Sequence, residues 1–419
     1  MAVLSDEPEP DEVNNIWKQV SFTLTESSKA CLGFKKAVKK KKWIKPATLR
    51  LLERYKIQYR EADQSVKRMA RADKCAYIDE LARQAENAAN RGEQGKVYKI
   101  TKLVCGKYGG RKVAPVKNFQ GRLLTTEREQ EACWAEHFKD VLNRPPPTVE
   151  SDIQEAETDL GVNTDPPNKQ EIIAAIKTLK NNKAPGQDNL NAELFKADPE
   201  LSARILQPLF TAVWKQERVP DDWTKGTIIK IHKKSPVSDC NNWRGVTLLS
   251  TPSKILAKII IQRISSAVDQ QLRQEQTRFR RGRGCAYHLL TLRNIIEQCT
   301  EWQRQLYIVD FQKAFDSIHR DSLWHILRAY GVPQKIVQLI QSFYGAFTCS
   351  VENSDISFEV KTGVRQGCVM SALLFNLAID WVMRGTTEDH PRGIRWTLFS
   401  TLEDLDFADD LALLSHTHS

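Results

Sequence analysis

The stretch DLDFADDLALL, residues 404–414, constrains the fold more than any other part of the sequence, because it places two adjacent carboxylates among apolar residues. The carboxylates are Asp409 and Asp410. Apolar residues alternate on both sides of them: Leu405 and Phe407 before, Leu411 and Leu413 after. This period of two is typical of half-buried β-strands and predicts a β-hairpin with acidic residues at its tip. An ordinary exposed turn is the alternative, since Asp is common in turns.

The two carboxylates at this tip need a positive partner. Adjacent negative charges repel each other, and burial near apolar neighbours raises the cost of ionising both. We therefore expect a cation close to the hairpin.

A further acidic residue, Asp310, stands at the end of another predicted strand. Residues 306–309 (LYIV) are apolar, and the sequence predicts a helix that begins within residues 317–321 and ends at Gly331. Loops at strand ends commonly carry catalytic side chains on a rigid sheet. Asp310 is therefore a candidate catalytic residue, with a role as a helix cap as the alternative.

If Asp310 lies beside the hairpin, three carboxylates converge. Such a cluster is electrostatically unfavourable without divalent cations. Mg²⁺ suits it, because this ion takes carboxylate oxygens as ligands and completes its shell with water and substrate phosphates. Two such ions, with Mn²⁺ as an alternative metal, would activate a hydroxyl and stabilise a leaving oxygen in phosphoryl transfer.

The positive charge of the chain is concentrated in one region. Residues 35–99 hold 19 Lys or Arg against 8 Asp or Glu, although the net charge of all 419 residues is only +10. This asymmetry favours a polyanionic partner such as nucleic acid, bound through its phosphates. The run Lys39, Lys40, Lys41, Lys42 is a candidate contact, with a solvated helix face as the alternative.

The composition argues against several classes of protein. A hydrophobic content of 41% is enough for two or three compact units. The chain has no apolar run of about 18 residues and no signal-peptide pattern, so we expect an intracellular protein without membrane contact. The nine cysteines form no CxxC pair, so neither a disulfide framework nor a zinc site is predicted.

The sequence predicts four segments. Residues 1–34 are expected to be an acidic, flexible N-terminus and residues 35–148 a basic, mainly helical extension. Within this extension, long basic helices are expected in residues 47–104, with an interruption near Arg91 and Gly92. Residues 149–168 are acidic and contain Pro, which is typical of a linker. Helical and strand patterns mix in residues 169–419, beginning with a helix predicted from Glu171 to Leu179, which favours an α+β domain.

Six ordered motifs closely resemble those of a known family. LYIVDFQKAFDSI, GVRQGCVMSALLFN and DFADDLALL resemble the successive palm motifs of reverse transcriptases encoded by LINE-type (non-LTR) retrotransposons. Three upstream segments resemble the finger motifs of this family: KNNKAPGQDNLNAELFK, WTKGTIIKIHKKSPVSDCNNWRGVTLL and EQTRFRRGRGCAYHLLTLR. The resemblance implies a right-hand polymerase, with fingers and a palm built from a ferredoxin-like sheet and helices, preceded by the basic helical region.

The resemblance assigns roles to the acidic residues and their neighbours. The catalytic, metal-binding triad is matched by Asp310, Asp409 and Asp410. The main-chain carbonyl of Phe311 is a further metal ligand by the same match. Phe315 matches the aromatic gate against a ribose 2′-hydroxyl, and core packing is a second role compatible with the first. Gln366 matches a residue near the incoming nucleotide and the template.

The other matched residues concern phosphates and nucleic acid. Arg244 matches the finger arginine that contacts the incoming triphosphate, and either Lys230 or Lys233 matches its lysine partner. Gly363 and Gly367 would permit close backbone approach to nucleic acid. The sequence also departs from the family pattern, because Arg278 stands where Gly is frequent.

The implied activity is RNA-directed DNA polymerisation, with an RNA template, a DNA primer and deoxynucleoside triphosphates as partners. A primer 3′-hydroxyl would attack the α-phosphate of the nucleotide and release pyrophosphate. Family analogy points to the nucleus as the location, and the oligomeric state stays open.

Two alternatives to this activity also stay open. Only nine residues follow Asp410, whereas the family continues into the rest of the palm, a primer-gripping hairpin and a helical thumb. We therefore expect a truncated copy, which as an inactive fragment would only bind RNA through residues 35–99. Another right-hand polymerase, such as a viral RNA-copying enzyme, is the second alternative, and Phe315 argues against it.

Overall fold

The structure is a computed structural model of the chain. It describes residues 12–32, 61–104, 115–149, 152–280, 282–283, 285–303, 309–311, 313–387, 393–395, 401–407 and 410–414. Two compact units are distinguished, one of residues 32–114 and one of residues 1–31 with 115–419.

The helices and strands are labelled here in chain order. The described helices are α1 (Glu12–Leu32), α2 (Glu61–Asn90), α3 (Gln94–Val104), α4 (Glu127–Val141), α5 (Lys169–Lys177), α6 (Ala192–Ala197), α7 (Pro199–Gln216), α8 (Thr251–Gln271), α9 (Cys285–Glu301), α10 (Ala314–Ser317), α11 (Arg320–Ala329), α12 (Gln334–Tyr344) and α13 (Ser371–Thr387). The described strands are β1 (Val116–Lys117), β2 (Leu123–Leu124), β3 (Lys225–His232), β4 (Trp243–Leu248), β5 (Val309–Asp310), β6 (Thr348–Val351), β7 (Ser357–Glu359), β8 (Ile394–Arg395), β9 (Thr401–Leu402), β10 (Asp404–Phe407) and β11 (Asp410–Leu413).

The unit of residues 32–114 contains α2 and α3, which pack against each other. A turn at residues 91–93 separates the two helices, and Gly92 has a φ of +70°, a conformation that Gly adopts without steric cost. Leu81, Ala88 and Ile100 are buried. The prediction of basic helices interrupted near Gly92 is confirmed for the residues described.

Two sheets organise the larger unit. The four-stranded sheet has the order β4-β3-β6-β7, in which β3 pairs antiparallel with β4 and parallel with β6. The three-stranded sheet has the order β10-β11-β5, and both of its pairings are antiparallel. Helices and mainly antiparallel strands are thus mixed, which is consistent with the predicted α+β class.

The main hydrophobic core lies among the helices that surround these sheets. Its largest fully buried side chains include Trp214, Trp223, Phe210 and Phe343. A second core lies between α4 and the four-stranded sheet, where Trp134 and Phe138 contact residues such as Ile228 and Phe347. Together these cores fix the sheet edges that carry the candidate site.

Local capping signals explain where several predicted helices begin and end. A helix predicted from residue 171 begins at Lys169, because the side chain of Asn168 accepts from the Glu171 amide while Glu171 accepts from the Asn168 amide. The helix predicted to begin within residues 317–321 is α11, and Gly331 follows it with a φ of +73°. Both predicted helices are confirmed, with boundaries shifted by a few residues.

The N-terminal boundaries differ from the prediction. Residues 12–32 form the helix α1 rather than a flexible segment, and Val13 and Trp17 are buried in the main core. The Trp17 ring also packs edge-on against Trp223, with the ring centroids 5.5 Å apart. This apolar stripe at helical spacing outweighs the acidic composition of the segment.

The predicted boundary at residue 148 also differs, because residues 115–148 belong to the same compact unit as the residues that follow. Helix α4 packs on the four-stranded sheet through Trp134 and Phe138. Asn143 continues this contact by donating to the Glu359 carbonyl at 2.9 Å. The predicted basic extension therefore contains two structurally different parts.

The predicted linker at residues 149–168 has no regular structure in the part that is described, and it is attached to the core. The Leu160 amide donates to the Gly331 carbonyl at 2.6 Å. The indole of Trp214 donates to the Thr164 carbonyl at 2.7 Å. Within the described residues, every helix is too short or too polar to cross a lipid bilayer.

Candidate active site

The acidic stretch near the end of the chain forms the predicted hairpin. Strands β10 and β11 pair antiparallel, with Phe407 opposite Asp410 and Leu405 opposite Ala412. Residues 408 and 409 connect them and lie outside the described residues, so the predicted role of Asp409 stays a prediction.

The other strand of this sheet brings Asp310 to the hairpin. Strand β11 pairs antiparallel with β5, and Asp410 lies directly opposite Asp310. Opposite Cα atoms of an antiparallel ladder are about 4.5–5.5 Å apart. Two aspartates from distant parts of the sequence are therefore neighbours in the backbone, although their side chains are not among those described.

A buried arginine holds the hairpin strand β10 from the adjacent loop. The Arg273 guanidinium donates to both oxygens of Asp404, at 3.0 and 2.9 Å, and to Asp406 at 2.5 Å. The Arg273 amide donates to Asp380 of α13 at 2.8 Å. All three carboxylates are at most 1% exposed, so the network is shielded from water. We call these four residues the Arg273 network.

Backbone contacts reinforce the same attachment. The Asp406 amide donates to the Glu275 carbonyl, and the Thr277 amide donates to the Asp406 carbonyl, both at 3.3 Å. Burial, together with the nearby Asp404 carboxylate, raises the pKa of Asp406 well above its usual value. Sequence reasoning missed this network, because a local alternation pattern does not show which distant residue pairs with the polar face of a strand.

A basic cavity with a volume of about 810 Å³ adjoins the strand β5. Five of the predicted site residues line it: Lys233, Arg244, Phe311, Phe315 and Gln366. Its lining also includes basic side chains that the sequence did not assign to a nucleotide site: Arg144, Lys234, Arg278 and Lys313. The excess of cations over carboxylates in this lining is suited to an anion such as a polyphosphate.

Burial and neighbouring charges shift the pKa values of two groups in the cavity lining. Burial, followed by repulsion from Arg144, lowers the pKa of the Lys313 ammonium. Burial raises the pKa of Asp316 to about 6, against the opposing effect of its hydrogen bond from Gln366 and of nearby cations. Charge on both groups is thus more costly here than in water.

Arg244 and Gln366 contact each other within the cavity. The Arg244 Nε donates to the Gln366 Oε1 at 2.6 Å, and the Gln366 Nε2 donates to both carboxylate oxygens of Asp316 at 2.6 Å. Arg244 is held at its place on β4, opposite Ile231 of β3.

Phe315 lines the cavity and is also packed on one face. Its ring stacks on Phe375 with centroids 4.1 Å apart, and it meets Phe279 edge-on at 6.4 Å. Arg278 lies over the Phe279 and Phe407 rings, at 5.0 and 4.9 Å from their centroids. Because Phe407 is opposite Asp410, Arg278 connects the cavity lining to the hairpin.

Of the two lysines proposed as the partner of Arg244, the structure places only Lys233 in the cavity lining. Lys230 is not in this lining, and its ammonium lies 5.5 Å from the centroid of the Trp134 ring. Lys230 lies opposite Gly245 in the ladder, so its side chain alternates away from the face that carries Arg244. The geometry therefore disfavours Lys230 as a nucleotide ligand.

The two glycines predicted to approach nucleic acid have an intramolecular explanation. Gly363 has a φ of +74°, and a Cβ there would lie 2.6 Å from the Asp316 carbonyl oxygen. Gly367 has a φ of +114°, and a Cβ there would lie 2.6 Å from the Thr247 carbonyl oxygen. Close packing of the chain on itself thus requires both glycines. The lysines 39–42 lie outside the described residues.

Comparison with known proteins identifies the domain that contains most of this site. Residues 231–419 match the model of the family described as Reverse transcriptase (RNA-dependent DNA polymerase). This match identifies residues 231–419 as a reverse transcriptase domain. The resemblance to reverse transcriptases is thereby confirmed for the motifs within these residues.

Similar proteins come from mobile elements. The chain is 28% identical over 217 residues to an uncharacterized protein of transposon TX1 of Xenopus laevis, covering 50% of this chain and 16% of that protein. It is 27% identical over 322 residues to a probable RNA-directed DNA polymerase from transposon BS of Drosophila melanogaster, covering 72% of this chain and 34% of that protein. It is 28% identical over 254 residues to a retrovirus-related Pol polyprotein from the type-1 retrotransposable element R2 of Popillia japonica, covering 59% of this chain and 34% of that protein. The chain spans between 16% and 34% of the length of these three relatives.

The reverse transcriptase domain does not account for every residue of the site. Arg144 precedes the matched residues 231–419, yet it lines the same cavity as Arg244. Among the described side chains, which do not include those of Asp310 and Asp410, no group of three or more His, Cys, Asp or Glu is arranged to hold a metal ion.

Proposed function

We propose that this chain comprises the fingers and palm of an RNA-directed DNA polymerase from a LINE-type retrotransposon. It extends the 3′-hydroxyl of a DNA primer with deoxynucleotides on an RNA template. The single observation that carries this proposal is the register that places Asp410 opposite Asp310, beside a basic cavity. The family match supports the same reaction class.

Asp310, Asp409 and Asp410, with the Phe311 carbonyl, are the proposed ligands of two Mg²⁺ ions. This donor set fits the metal, because it consists of carboxylate and carbonyl oxygens, and Asp310 and Asp410 lie opposite each other in the ladder. When bound, the ions would lower the pKa of the attacking hydroxyl and stabilise the negative charge on the leaving oxygen. The pairing of β11 with β5 keeps the backbones of Asp310 and Asp410 next to each other.

The triphosphate of the incoming nucleotide is proposed to occupy the basic cavity. Arg244 presents a planar guanidinium, whose fork geometry matches phosphate oxygens. Lys233 supplies a second positive charge from the same part of the lining. These side chains bind and orient the nucleotide so that its α-phosphate faces the primer terminus near β5.

The basic region of residues 35–99 is proposed to hold the template RNA through its phosphates. Its described part presents exposed basic side chains on α2, among them Arg68, Arg71 and Lys74. Binding through such contacts weakens steeply as the salt concentration rises.

The activity is tested by primer extension on an RNA template with a complementary DNA primer, deoxynucleotides and Mg²⁺. We expect incorporation that follows the template sequence and stops when Mg²⁺ is removed with a chelator. RNA binding that is sensitive to salt, without any Mg²⁺-dependent synthesis, would contradict the proposal and favour an RNA-binding fragment.

Replacing Phe315 by Val is expected to reduce discrimination against ribonucleotides by about 10- to 100-fold, since steric selection by one side chain is worth about this much. The smaller side chain would leave room for the 2′-hydroxyl. The measurement is the ratio of kcat/KM for a deoxynucleotide to that for its ribonucleotide.

The matched control for this prediction is Phe375→Leu, which disturbs the same stacked pair from its buried side. We expect this variant to lower thermal stability without changing the ratio. An unchanged ratio in Phe315→Val, or an equal change in both variants, would assign Phe315 to packing alone.

A further inference from the structure

Asp316 is a buried carboxylate next to the nucleotide cavity, and the motif comparison gave it no role. It is 9% exposed, and both its oxygens accept hydrogen bonds from the Gln366 amide nitrogen. Burying a charge is costly unless the group is hydrogen-bonded. The fold therefore keeps the Asp316 carboxylate buried despite a cost in free energy, and we expect this residue to have a function.

The backbone of Asp316 is fixed by the segment that precedes Gln366. The Thr362 hydroxyl donates to the Asp316 carbonyl at 3.1 Å. Gly363 approaches the same carbonyl so closely that a Cβ would lie 2.6 Å from its oxygen. The Asp316 amide donates to the Lys313 carbonyl at 2.9 Å. The backbone position of Asp316 is thus set independently of the Gln366 side chain.

The Gln366 side chain is held between Asp316 and Arg244. Its main-chain carbonyl accepts from the Thr247 amide of β4 at 2.7 Å, which places the residue beside the strand that carries Arg244. An ionised carboxylate only accepts hydrogen bonds, so it takes the amide NH₂ of Gln366. The amide oxygen is then directed at Arg244, whose Nε donates to it at 2.6 Å.

The opposite orientation of the amide would place two pairs of like groups in contact. The amide oxygen would face the Asp316 carboxylate, and the NH₂ group would face the Arg244 guanidinium. Asp316 therefore selects the one orientation of Gln366 that can accept from Arg244. Because this contact uses Nε, it does not occupy the two terminal nitrogens of Arg244, which are the fork that binds phosphate oxygens.

We propose that Asp316 is a positioning residue that acts through Gln366 to fix Arg244 for the triphosphate of the incoming nucleotide. The proposal rests on the proposed function, since it names a further residue of the same site. It assigns to Asp316 an effect on nucleotide binding and not on the chemical step.

A purely structural role for Asp316 predicts a different pattern. In that case, substitutions at Asp316 and Gln366 would lower the free energy of unfolding and leave the KM for the deoxynucleotide unchanged. The proposed relay from Asp316 through Gln366 to Arg244 instead predicts that this KM depends on matched hydrogen-bonding polarity of the two side chains. Reversing this polarity at both positions separates the two explanations.

The test uses Gln366→Glu, Asp316→Asn and the double variant, all close in shape to the original residues. Gln366→Glu replaces the donor by a carboxylate that Asp316 repels, and we expect the KM for the deoxynucleotide to rise about tenfold with a smaller change in kcat. Asp316→Asn alone keeps one acceptor oxygen, and we expect a rise of about threefold.

The double variant restores a matched pair, because the amide introduced at position 316 can donate to the carboxylate introduced at position 366, which still accepts from Arg244. We expect its KM to return to within about threefold of the unaltered chain, a coupling that independent sites do not show. Equilibrium binding of the same deoxynucleoside triphosphate, followed with Mg²⁺ and without primer, should give the same order.

Effects of the two substitutions that simply multiply in the double variant would overturn the relay. So would a fall in kcat at unchanged KM. A chain that binds the triphosphate and shows no such coupling contradicts the relay alone. A chain that binds no deoxynucleoside triphosphate contradicts the proposed function and the relay together.

Discussion

Replacing Asp310 by Asn is expected to slow deoxynucleotide incorporation by at least about a thousandfold, because several kcal/mol of transition-state stabilisation depend on the ions that this carboxylate would bind. Asn has the same shape and keeps an oxygen, but it lacks the negative charge that opposes the cations. The measurement is single-nucleotide primer extension in the presence of Mg²⁺. RNA binding is expected to be unchanged, since the substitution lies outside the basic region.

Asp355→Asn is the matched control, because this exposed aspartate lies in the loop between β6 and β7, outside the candidate site. We expect it to extend primers at the rate of the unaltered chain. Extension by Asp310→Asn at that same rate would remove Asp310 from the catalytic machinery. Loss of RNA binding in Asp310→Asn would instead indicate that the variant is misfolded.

The second large effect is structural and concerns the Arg273 network. Replacing Arg273 by Met leaves Asp404 and Asp406 buried without their cation, which costs about 3–5 kcal/mol of unfolding free energy. The Arg273 side chain is 8% exposed, so water does not replace the lost hydrogen bonds. The measurement is equilibrium unfolding by urea. Because β10 pairs with β11, we also expect slower primer extension in this variant.

Two control variants show whether the lower unfolding free energy is specific to the buried Arg273 network. Arg293→Met removes an exposed pair with Glu297, and we expect a change within about 0.5 kcal/mol. The triple variant Arg273→Met, Asp404→Asn, Asp406→Asn removes both buried carboxyl groups with their partner, and we expect part of the stability to return. Equal losses in the single and triple variants would show that charge burial is not the cause.

The sequence predicted the strands that carry the site, because the patterns that indicate them depend on neighbouring residues. Alternation around the acidic pair predicted a hairpin, and β10 and β11 form it. The apolar run before Asp310 predicted a strand, and its described part, Val309–Asp310, is one. That these two elements lie side by side was the condition of the three-carboxylate hypothesis, and the register places Asp310 and Asp410 opposite each other.

The parts that the sequence did not predict depend on long-range contacts. The alternation in β10 indicated one buried face, whereas Asp404 and Asp406 on the other face are buried as well. Their partner Arg273 lies more than a hundred residues earlier in the chain. No local pattern encodes such a pairing, and a basic residue in a loop is ordinarily solvated.

Two further differences have the same physical origin. Lys230 and Lys233 were equivalent candidates in the sequence, and the ladder with β4 separates them. Gly363 was predicted to approach nucleic acid, but its neighbour is the Asp316 backbone.

In contrast, the buried stripe of α1, which includes Val13 and Trp17, has helical spacing that the sequence already contained. There the acidic composition led to the wrong prediction.

The most direct measurement is cleavage of the chain by Fe²⁺ bound in place of Mg²⁺, with ascorbate and peroxide added to generate hydroxyl radicals beside the ion. Fe²⁺ accepts similar oxygen ligands, so it reports which segments surround the metal. A site shared by Asp310 and the hairpin predicts cuts both near residue 310 and near residues 409–410, suppressed together by excess Mg²⁺ and by Asp310→Asn. Cuts at only one of these positions, or cuts near the hairpin that persist in Asp310→Asn, would contradict a common metal site.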